Sequence, residues 1–291
     1  MKEDRLDAPV RDCMVSAVRT LSQEQSLTAA ARELEQLGMS ALPVVERSGR
    51  LTGLLGWAEL RGAGRLLSRA EEPRGQLRLP EGTVAQFMSS SVPVISREAS
   101  IALAARRMYE RGLKRLYVAE DGPLEGVLST RELLRVVQSL ELALPLGRFA
   151  RRAVATIDAS EPLAAAAALW SAEPQHGARR LSEAPHGSRR NAEPLNLVVL
   201  RDGVAVGVLT PETASLSREA DPQERVERWM DRDLLSLPPE LSASGGAQQL
   251  LEQDRRYIVT RGPAGVLGLL SGLDFAKLIA DSATRSDALD S

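Results

Sequence analysis

The sequence has one cysteine, Cys13, and two histidines among its 291 residues. A single thiol excludes a disulfide framework and a multi-cysteine metal site. Both histidines, His176 and His186, lie in one stretch rich in arginine, glycine and proline. Neither a Ser/His/Asp arrangement nor a glycine-rich phosphate loop is indicated. These absences argue against an enzyme.

Long apolar runs and strong net charge are also missing. The longest apolar run, Leu163 to Trp170, is far shorter than the roughly 20 residues of a membrane-spanning helix. A net charge of -2 gives no basic field to attract nucleic acid or an acidic membrane. The mixed charges at the start of the chain do not resemble a signal peptide. We therefore expect a cytoplasmic protein with neither nucleic acid nor membrane as a partner.

What the chain does contain is a short apolar strand that runs into a helix, found four times. The clearest copy is Gly126 to Leu133, where Ser129 stands at the N-cap position and Glu132 follows three residues later. The other copies begin at Gly53, Gly207 and Gly268. One copy alone is more typical of a helix capping box than of a binding site. Four copies indicate an internal repeat.

Each repeat has the element order β-α-β-β-α. Copy one aligns with copy two through Met14 with Met88, and copy four aligns through Met230 with Met88. Copy three carries an insertion at 174–192, which we expect to be a surface loop, although a metal or phosphate site there is conceivable. A unit of about 60 residues buries its surfaces poorly by itself, so neighbouring copies should pair. The predicted fold class is α/β with small mixed sheets.

Three segments resemble the cystathionine β-synthase (CBS) domain family: Met88 to Val94, Gly112 to Val118, and Gly126 to Leu133. Ala41 to Glu46 adds a second strand typical of that family. The resemblance extends from about residue 9 to 282. It implies that two copies pack into a Bateman module and that modules pair into a disc.

The domain prediction follows from this resemblance. Residues 1–145 form the first module, with copies at about 9–62 and 83–140. Residues 146–291 form the second, with copies at about 146–216 and 224–282. The link lies near 144–147.

The resemblance also implies an adenine nucleotide (AMP, ADP or ATP) as a regulatory ligand between paired copies, with no cofactor required. In this family a Ser/Thr-x-x-Asp motif binds phosphate through the helix start and ribose through the acid. Ser271 with Asp274 is the best match, and Ser129 with Glu132 is the next. Copy three keeps Thr210 but has Thr213 at the acidic position. Copy one has Gly56 at the hydroxyl position and keeps Glu59.

Basic and apolar residues complete the predicted sites. In copies two and four, a pair of basic residues precedes the second strand: Lys114 with Arg115, and Arg255 with Arg256. These pairs would contact phosphate, or else they are only solvated helix ends. An adenine slot could be lined by residues that are otherwise plain core: Val94, Ile95, Tyr117 and Val118 in module one, and Ser236, Leu237, Ile258 and Val259 in module two.

We therefore expect a non-enzymatic regulatory protein that senses adenosine-containing ligands. The alternative is a ligand-free pairing or docking module whose Ser-x-x-acid motifs only cap helices. The apolar helix after Ser129 predicts that modules associate face to face, within one chain or across a homodimer. The ligand identity and the regulated partner protein stay open.

Overall fold

The computed structural model describes residues 3–66, 77–120, 122–151, 154–171, 196–210, 221–262 and 265–287. The insertion at 174–192, its two histidines and Thr213 lie outside the described residues. Residues 211–220 are also outside them, so the second helix predicted after the copy-three motif is not described.

Within the described residues, strands and helices follow one another in the order that the repeat predicts. The described helices are α1 (Glu3–Leu6), α2 (Leu27–Gln36), α3 (Trp57–Ala63), α4 (Val84–Phe87), α5 (Ile101–Arg111), α6 (Thr130–Ser139), α7 (Leu146–Phe149), α8 (Leu163–Ser171), α9 (Ala243–Glu252) and α10 (Gly272–Asp287). The strands are β1 (Leu21–Ser22), β2 (Ala41–Val45), β3 (Leu51–Gly56), β4 (Arg65–Leu66), β5 (Leu77–Arg78), β6 (Val94–Ile95), β7 (Arg115–Val118), β8 (Gly126–Ser129), β9 (Thr156–Asp158), β10 (Leu197–Arg201), β11 (Val204–Leu209), β12 (Leu234–Leu237), β13 (Tyr257–Gly262) and β14 (Gly265–Ser271).

Each copy builds one three-stranded mixed sheet. Its middle strand pairs parallel with the first strand and antiparallel with the third. The parallel pair requires a crossover, and a helix supplies it, for example α2 between β1 and β2. Strands β4 and β5 form a separate two-stranded antiparallel sheet. The predicted fold class, α/β with small mixed sheets, is confirmed.

Local signals explain where the crossover helices begin. The Ser26 hydroxyl accepts a hydrogen bond from Ala29 N at 3.3 Å, and the Ser242 hydroxyl accepts one from Gly245 N at 3.1 Å. Both are N-cap bonds of the kind that satisfy otherwise unpaired amides in the first turn. Gly38 follows the end of α2 with a φ of 60°, the left-handed conformation that glycine adopts at low cost.

The chain divides into two compact units. The smaller unit consists of Pro9–Ser100 and Arg115–Ser129, and the larger unit consists of Met1–Ala8, Ile101–Lys114 and Thr130–Ser291. The division passes through copy two, because its three strands belong to the smaller unit and its helices α5 and α6 to the larger. The module boundary near 144–147 stays a prediction.

In the smaller unit the sheets of copies one and two are joined reciprocally. Val15 exchanges two backbone hydrogen bonds of 2.9 Å with Val127 of β8, and Ser89 exchanges two of 2.8 Å with Leu54 of β3. The segment that leads into each copy therefore adds to the last strand of the other copy. The core of copy one lies beneath this pairing, with Leu21, Leu42 and Leu55 fully buried.

In the larger unit copies three and four are joined in the same way. Arg151 pairs with Leu269 of β14, with backbone bonds of 3.1 and 3.2 Å, and Asp231 pairs with Val208 of β11, with two bonds of 2.8 Å. Between these two sheets lies a shared apolar cluster built from Val198, Val208, Tyr257, Val259 and Leu269.

Glycines make these pairings possible. A Cβ at Gly126 would lie 2.7 Å from Met14 Sδ, one at Gly53 would lie 2.6 Å from Met88 Sδ, and one at Gly207 would lie 2.7 Å from Met230 Sδ. The methionines that align the repeats in sequence therefore occupy equivalent places in the structure, each against the first glycine of a partner strand. The residue that faces Gly268 is Ala150, and a Cβ added at Gly268 would lie 2.7 Å from the Cβ of Ala150.

The helices of copies two and four also pack on each other within the larger unit. Helix α5 lies against α10, and α6 lies against both α9 and α10. The Lys277 ammonium lies 5.8 Å from the centre of the Tyr109 ring, a cation–π geometry. Helices from the two halves of the chain therefore associate within one chain.

Candidate functional site

The copy-four motif lies where β14 ends and α10 begins. The Asp274 carboxylate is 5% exposed. Its Oδ2 accepts hydrogen bonds from Ser271 N at 2.7 Å and from Ser271 Oγ at 2.9 Å. The acid thus caps its own helix by accepting from the amide just before it, as in one half of a capping box.

The second oxygen of Asp274 bonds to a residue of copy three. Arg151 Nε donates to Asp274 Oδ1 at 2.8 Å, and the Arg151 side chain is 32% exposed. Arg151 follows Ala150 in the segment that pairs with β14. Arg151 was not predicted from the sequence. Its position directly after Ala150, the residue that aligns with Met88, could have indicated it.

In copy two the acid is equally buried. Glu132 is 5% exposed and accepts a 2.6 Å hydrogen bond from Arg135 Nη1, one turn later in α6. Thr130, the residue after Ser129, packs against Gly272 within the larger unit. A Cβ added at Gly272 would lie 2.5 Å from the Cβ of Thr130. The starts of α6 and α10 are therefore in direct contact.

The two copies predicted to be degraded differ from these. In copy one, Gly56 N donates to Glu59 Oε2 at 2.9 Å, so the acid caps α3 without any hydroxyl partner on residue 56. In copy three, Thr210 is 8% exposed.

The sheet register corrects the alignment of the basic pairs. Arg115 lies opposite Ser129, whereas the residue opposite Ser271 is Tyr257. Arg255 and Arg256 therefore stand one position earlier in copy four than Lys114 and Arg115 do in copy two. Lys114 is exposed, and Arg115 Nη1 donates to the carbonyl oxygen of Ala41 at 3.4 Å.

Both arginines of copy four form ion pairs with nearby carboxylates. Arg255 Nη1 lies 3.4 Å from Asp233 Oδ1, and Arg256 binds Asp233 at 2.8 Å and Asp231 at 3.2 Å. Partial burial lowers the pKa of Arg256, but the two carboxylates outweigh it and raise that pKa above its usual value. The two guanidinium groups thus bind carboxylates of the segment that leads into β12, rather than the Ser271 and Asp274 motif.

The predicted adenine slot is divided between surface and core. Val94 is 48% exposed and Ser236 is exposed, whereas Val118, Ile258 and Val259 are completely buried. Ile95 at 2% and Tyr117 at 3% are also buried, and Leu237 is half-buried. Burial raises the pKa of the Tyr117 phenol, and the Arg115 guanidinium opposes only part of that rise.

Metal binding and membrane spanning were also considered for the described residues. No group of three or more His, Cys, Asp and Glu side chains among them is arranged to hold a metal ion. None of the described helices has the length and apolar character needed to cross a bilayer.

Comparison with known proteins identifies the family of the first two repeats. The model of the family described as "CBS domain" matches residues 10–64 and 84–139, which are copies one and two. Copies one and two are CBS domains. Copies three and four lie outside the matched residues, and their sheets have the same strand order as the two matched CBS domains.

Solved structures share the fold over nearly the whole chain. A protein of Methanocaldococcus jannaschii, described as an archaeal homologue of the AMPK gamma subunit, is 16% identical, with a TM-score of 0.65, and the match covers 94% of this chain and 100% of that one. A conserved protein of Pyrococcus horikoshii is 19% identical, with a TM-score of 0.55, and the match covers 93% and 99%. At these identities the likeness shows the fold alone.

A curated relative matches a smaller part of the chain. The A-adding tRNA nucleotidyltransferase of Aquifex aeolicus is 25% identical over 138 residues, which is 47% of this chain and 15% of that enzyme. The chain therefore spans a minor part of the length of this relative, and the enzyme's activity is not transferred to it.

Proposed function

We propose that this CBS-domain protein is a non-enzymatic regulatory protein that binds adenosine-containing ligands, such as AMP, ADP or ATP. The observation that carries the proposal is the buried Asp274 carboxylate at the start of α10, which Ser271 of its own copy and Arg151 of the paired copy both contact. The proposed site therefore lies between copies three and four.

The chemistry of these groups suits a nucleotide. A carboxylate only accepts hydrogen bonds, so it matches the two donors of a ribose diol. The start of the 16-residue helix α10 offers partial positive charge to a phosphate. Arg151 adds a full positive charge beside the same carboxylate. A ligand with both a diol and an anion matches this arrangement.

Ligand binding would act by shifting populations. A nucleotide that contacts copies three and four together favours arrangements in which both lie against it. Because α6 of copy two contacts the start of α10 at Gly272, the change has a route to the helices of copy two. A regulated partner protein would sense that change.

A second site, which uses Ser129, Glu132, Lys114 and Arg115, stays a prediction from the sequence. We propose that it binds more weakly than the copy-four site, because Glu132 is one methylene longer than the acid of the motif. A homodimer is likewise a proposal, which sedimentation equilibrium at several protein concentrations tests.

One observation favours the ligand-free docking module as a second candidate function. Glu59 in copy one and Asp274 in copy four both accept from the backbone amide at their own helix start. Helix capping alone explains an acid at this position, since Glu59 caps α3 with glycine in place of the hydroxyl residue.

Titration calorimetry of the full chain with AMP, ADP and ATP separates the two functions. Asp274→Asn removes the charge but keeps the size of the side chain. We expect the wild type to bind and the variant to bind roughly 10- to 150-fold more weakly, the equivalent of one charge-assisted hydrogen bond.

Asp254→Asn is the matched control, because Asp254 is 83% exposed and pairs with Arg131. It should bind like the wild type. Melting temperatures of the ligand-free proteins complete the test. If Asp274→Asn melts lower and yet binds normally, or if the wild type binds no adenosine compound at millimolar concentration, helix capping is the function of this motif.

A further inference from the structure

Protein donors occupy most of the hydrogen-bonding positions of the Asp274 carboxylate. It accepts three hydrogen bonds from described residues: two from Ser271 at Oδ2 and one from Arg151 at Oδ1. A carboxylate offers about four lone-pair positions. A ribose diol donates two hydrogen bonds, so it binds in full only if one of the present donors leaves.

Arg151 is the donor that can leave. The Ser271 amide is part of the backbone at the end of β14, and its hydroxyl is tied to the same residue. The Arg151 side chain is long and one-third exposed. Its backbone is held independently by two hydrogen bonds with Leu269. The guanidinium can therefore swing away without disturbing the sheet.

Displacing Arg151 has a chemical consequence. When the ribose binds Asp274, the partly buried Arg151 guanidinium loses its carboxylate partner. This loss lowers the affinity unless the ligand itself brings negative charge near Arg151. A 5′-phosphate supplies that charge at the start of α10. A neutral nucleoside does not, and a ligand with a sulfonium cation would meet Arg151 and the positive helix end together.

The internal repeats show that this feature belongs to one site. The residues that follow Met14, Met88, Ala150 and Met230 all pair with the last strand of the partner copy, and they are Val15, Ser89, Arg151 and Asp231. Of these four equivalent positions, only Arg151 carries a positive charge. Arg151 therefore distinguishes the copy-four motif from its three relatives in the chain.

We propose that Arg151 determines which class of ligand binds at the copy-four site. When the ligand binds, Arg151 exchanges its bond to Asp274 for a bond to the ligand phosphate. The site therefore selects 5′-phosphorylated adenosine over adenosine and over S-adenosylmethionine. This inference rests on the function proposed above. It goes further in naming the ligand class and the residue that decides it.

The test measures affinities for AMP, adenosine and S-adenosylmethionine by titration calorimetry on the full chain. Parallel titrations of Asp274→Asn show how much of each affinity depends on the Asp274 carboxylate. We expect the wild type to prefer AMP over adenosine by roughly 10- to 150-fold, the equivalent of one charge-assisted hydrogen bond. In Arg151→Gln that preference should fall towards one, through weaker AMP binding and equal or tighter adenosine binding.

Two variants guard the interpretation. Arg151→Lys keeps the charge and should keep part of the preference for AMP, even if Arg151→Gln folds poorly. Arg201→Gln is the control, because it removes a half-exposed arginine that pairs with Glu227, and it should keep the wild-type preference.

The possible failures are distinguishable. If all three compounds bind the wild type equally, or if Arg151→Gln keeps the preference for AMP, the role of Arg151 is wrong while adenosine binding stands. If none of the three binds the wild type, the proposed function fails together with this inference.

Discussion

Gly126→Ala tests how the sheets of copies one and two are joined in the smaller unit. The added Cβ would lie 2.7 Å from Met14 Sδ and 3.0 Å from the carbonyl oxygen of Val15. Met14 has a flexible side chain that can move aside. The Val15 carbonyl cannot easily do so, because it accepts a 2.9 Å hydrogen bond from Val127 N.

The magnitude follows from this difference. Overpacking a close-packed site costs about 1–3 kcal/mol of unfolding free energy. The lower end applies if only Met14 has to move, and the upper end applies if the pairing of Val15 with Val127 is strained as well. At about 2–4 °C per kcal/mol, the melting temperature should fall by roughly 2–12 °C.

Thermal unfolding of Gly126→Ala and of Gly62→Ala forms the assay. Gly62 is an exposed residue of α3, and a methyl group added there would have no neighbouring atom within 4 Å. Alanine there should stabilise the protein by about 0.4–1 kcal/mol, because it restricts the unfolded chain. Equal shifts of the same sign in both variants would show that Met14 and Val15 do not pack on β8 and would refute the reciprocal pairing.

Two further predictions concern other parts of the molecule. Gly272→Ala should lower the unfolding free energy by about 1–3 kcal/mol, because its Cβ would lie 2.5 Å from that of Thr130; a melting temperature equal to that of the wild type would show that α6 and α10 do not meet there. Burial raises the pKa of Tyr117, so the protonated phenol stabilises the fold below about pH 10, and this stabilisation is lost as the pH rises through the folded-state pKa. Chemical denaturation between pH 8 and pH 11 should therefore show a smaller loss of stability in Tyr117→Phe than in the wild type, and equal losses would contradict the assignment.

The repeat and the fold class could be predicted because both depend on local patterns. Short apolar strands such as Val127 and Leu128, followed by a helix with an acid in its first turn, recur at regular places along the chain. Strand and helix periodicity determines which faces are buried, and one small unit cannot bury them alone. The mixed three-stranded sheets and the pairing of neighbouring copies follow from that requirement.

The sequence did not indicate the side-chain partners of candidate site residues where those partners come from distant parts of the chain. Ser271 and Asp274 are three residues apart, so their mutual contact could be foreseen. Phosphate binding by Arg255 and Arg256 stays a prediction, and their ion pairs with Asp231 and Asp233 were not foreseen from the sequence. Which carboxylate an arginine meets depends on how β12 lies beside β13, and sequence spacing does not specify that.

By itself the sequence therefore determined the four repeats, their element order and the positions of the hydroxyl and acidic residues, because each depends on neighbours within a few residues. Only the tertiary structure decided that Arg151 reaches Asp274 and that Thr130 packs on Gly272. Each of these contacts joins segments more than 100 residues apart. They form because reciprocal pairing of the copies and packing of their helices bring those segments together.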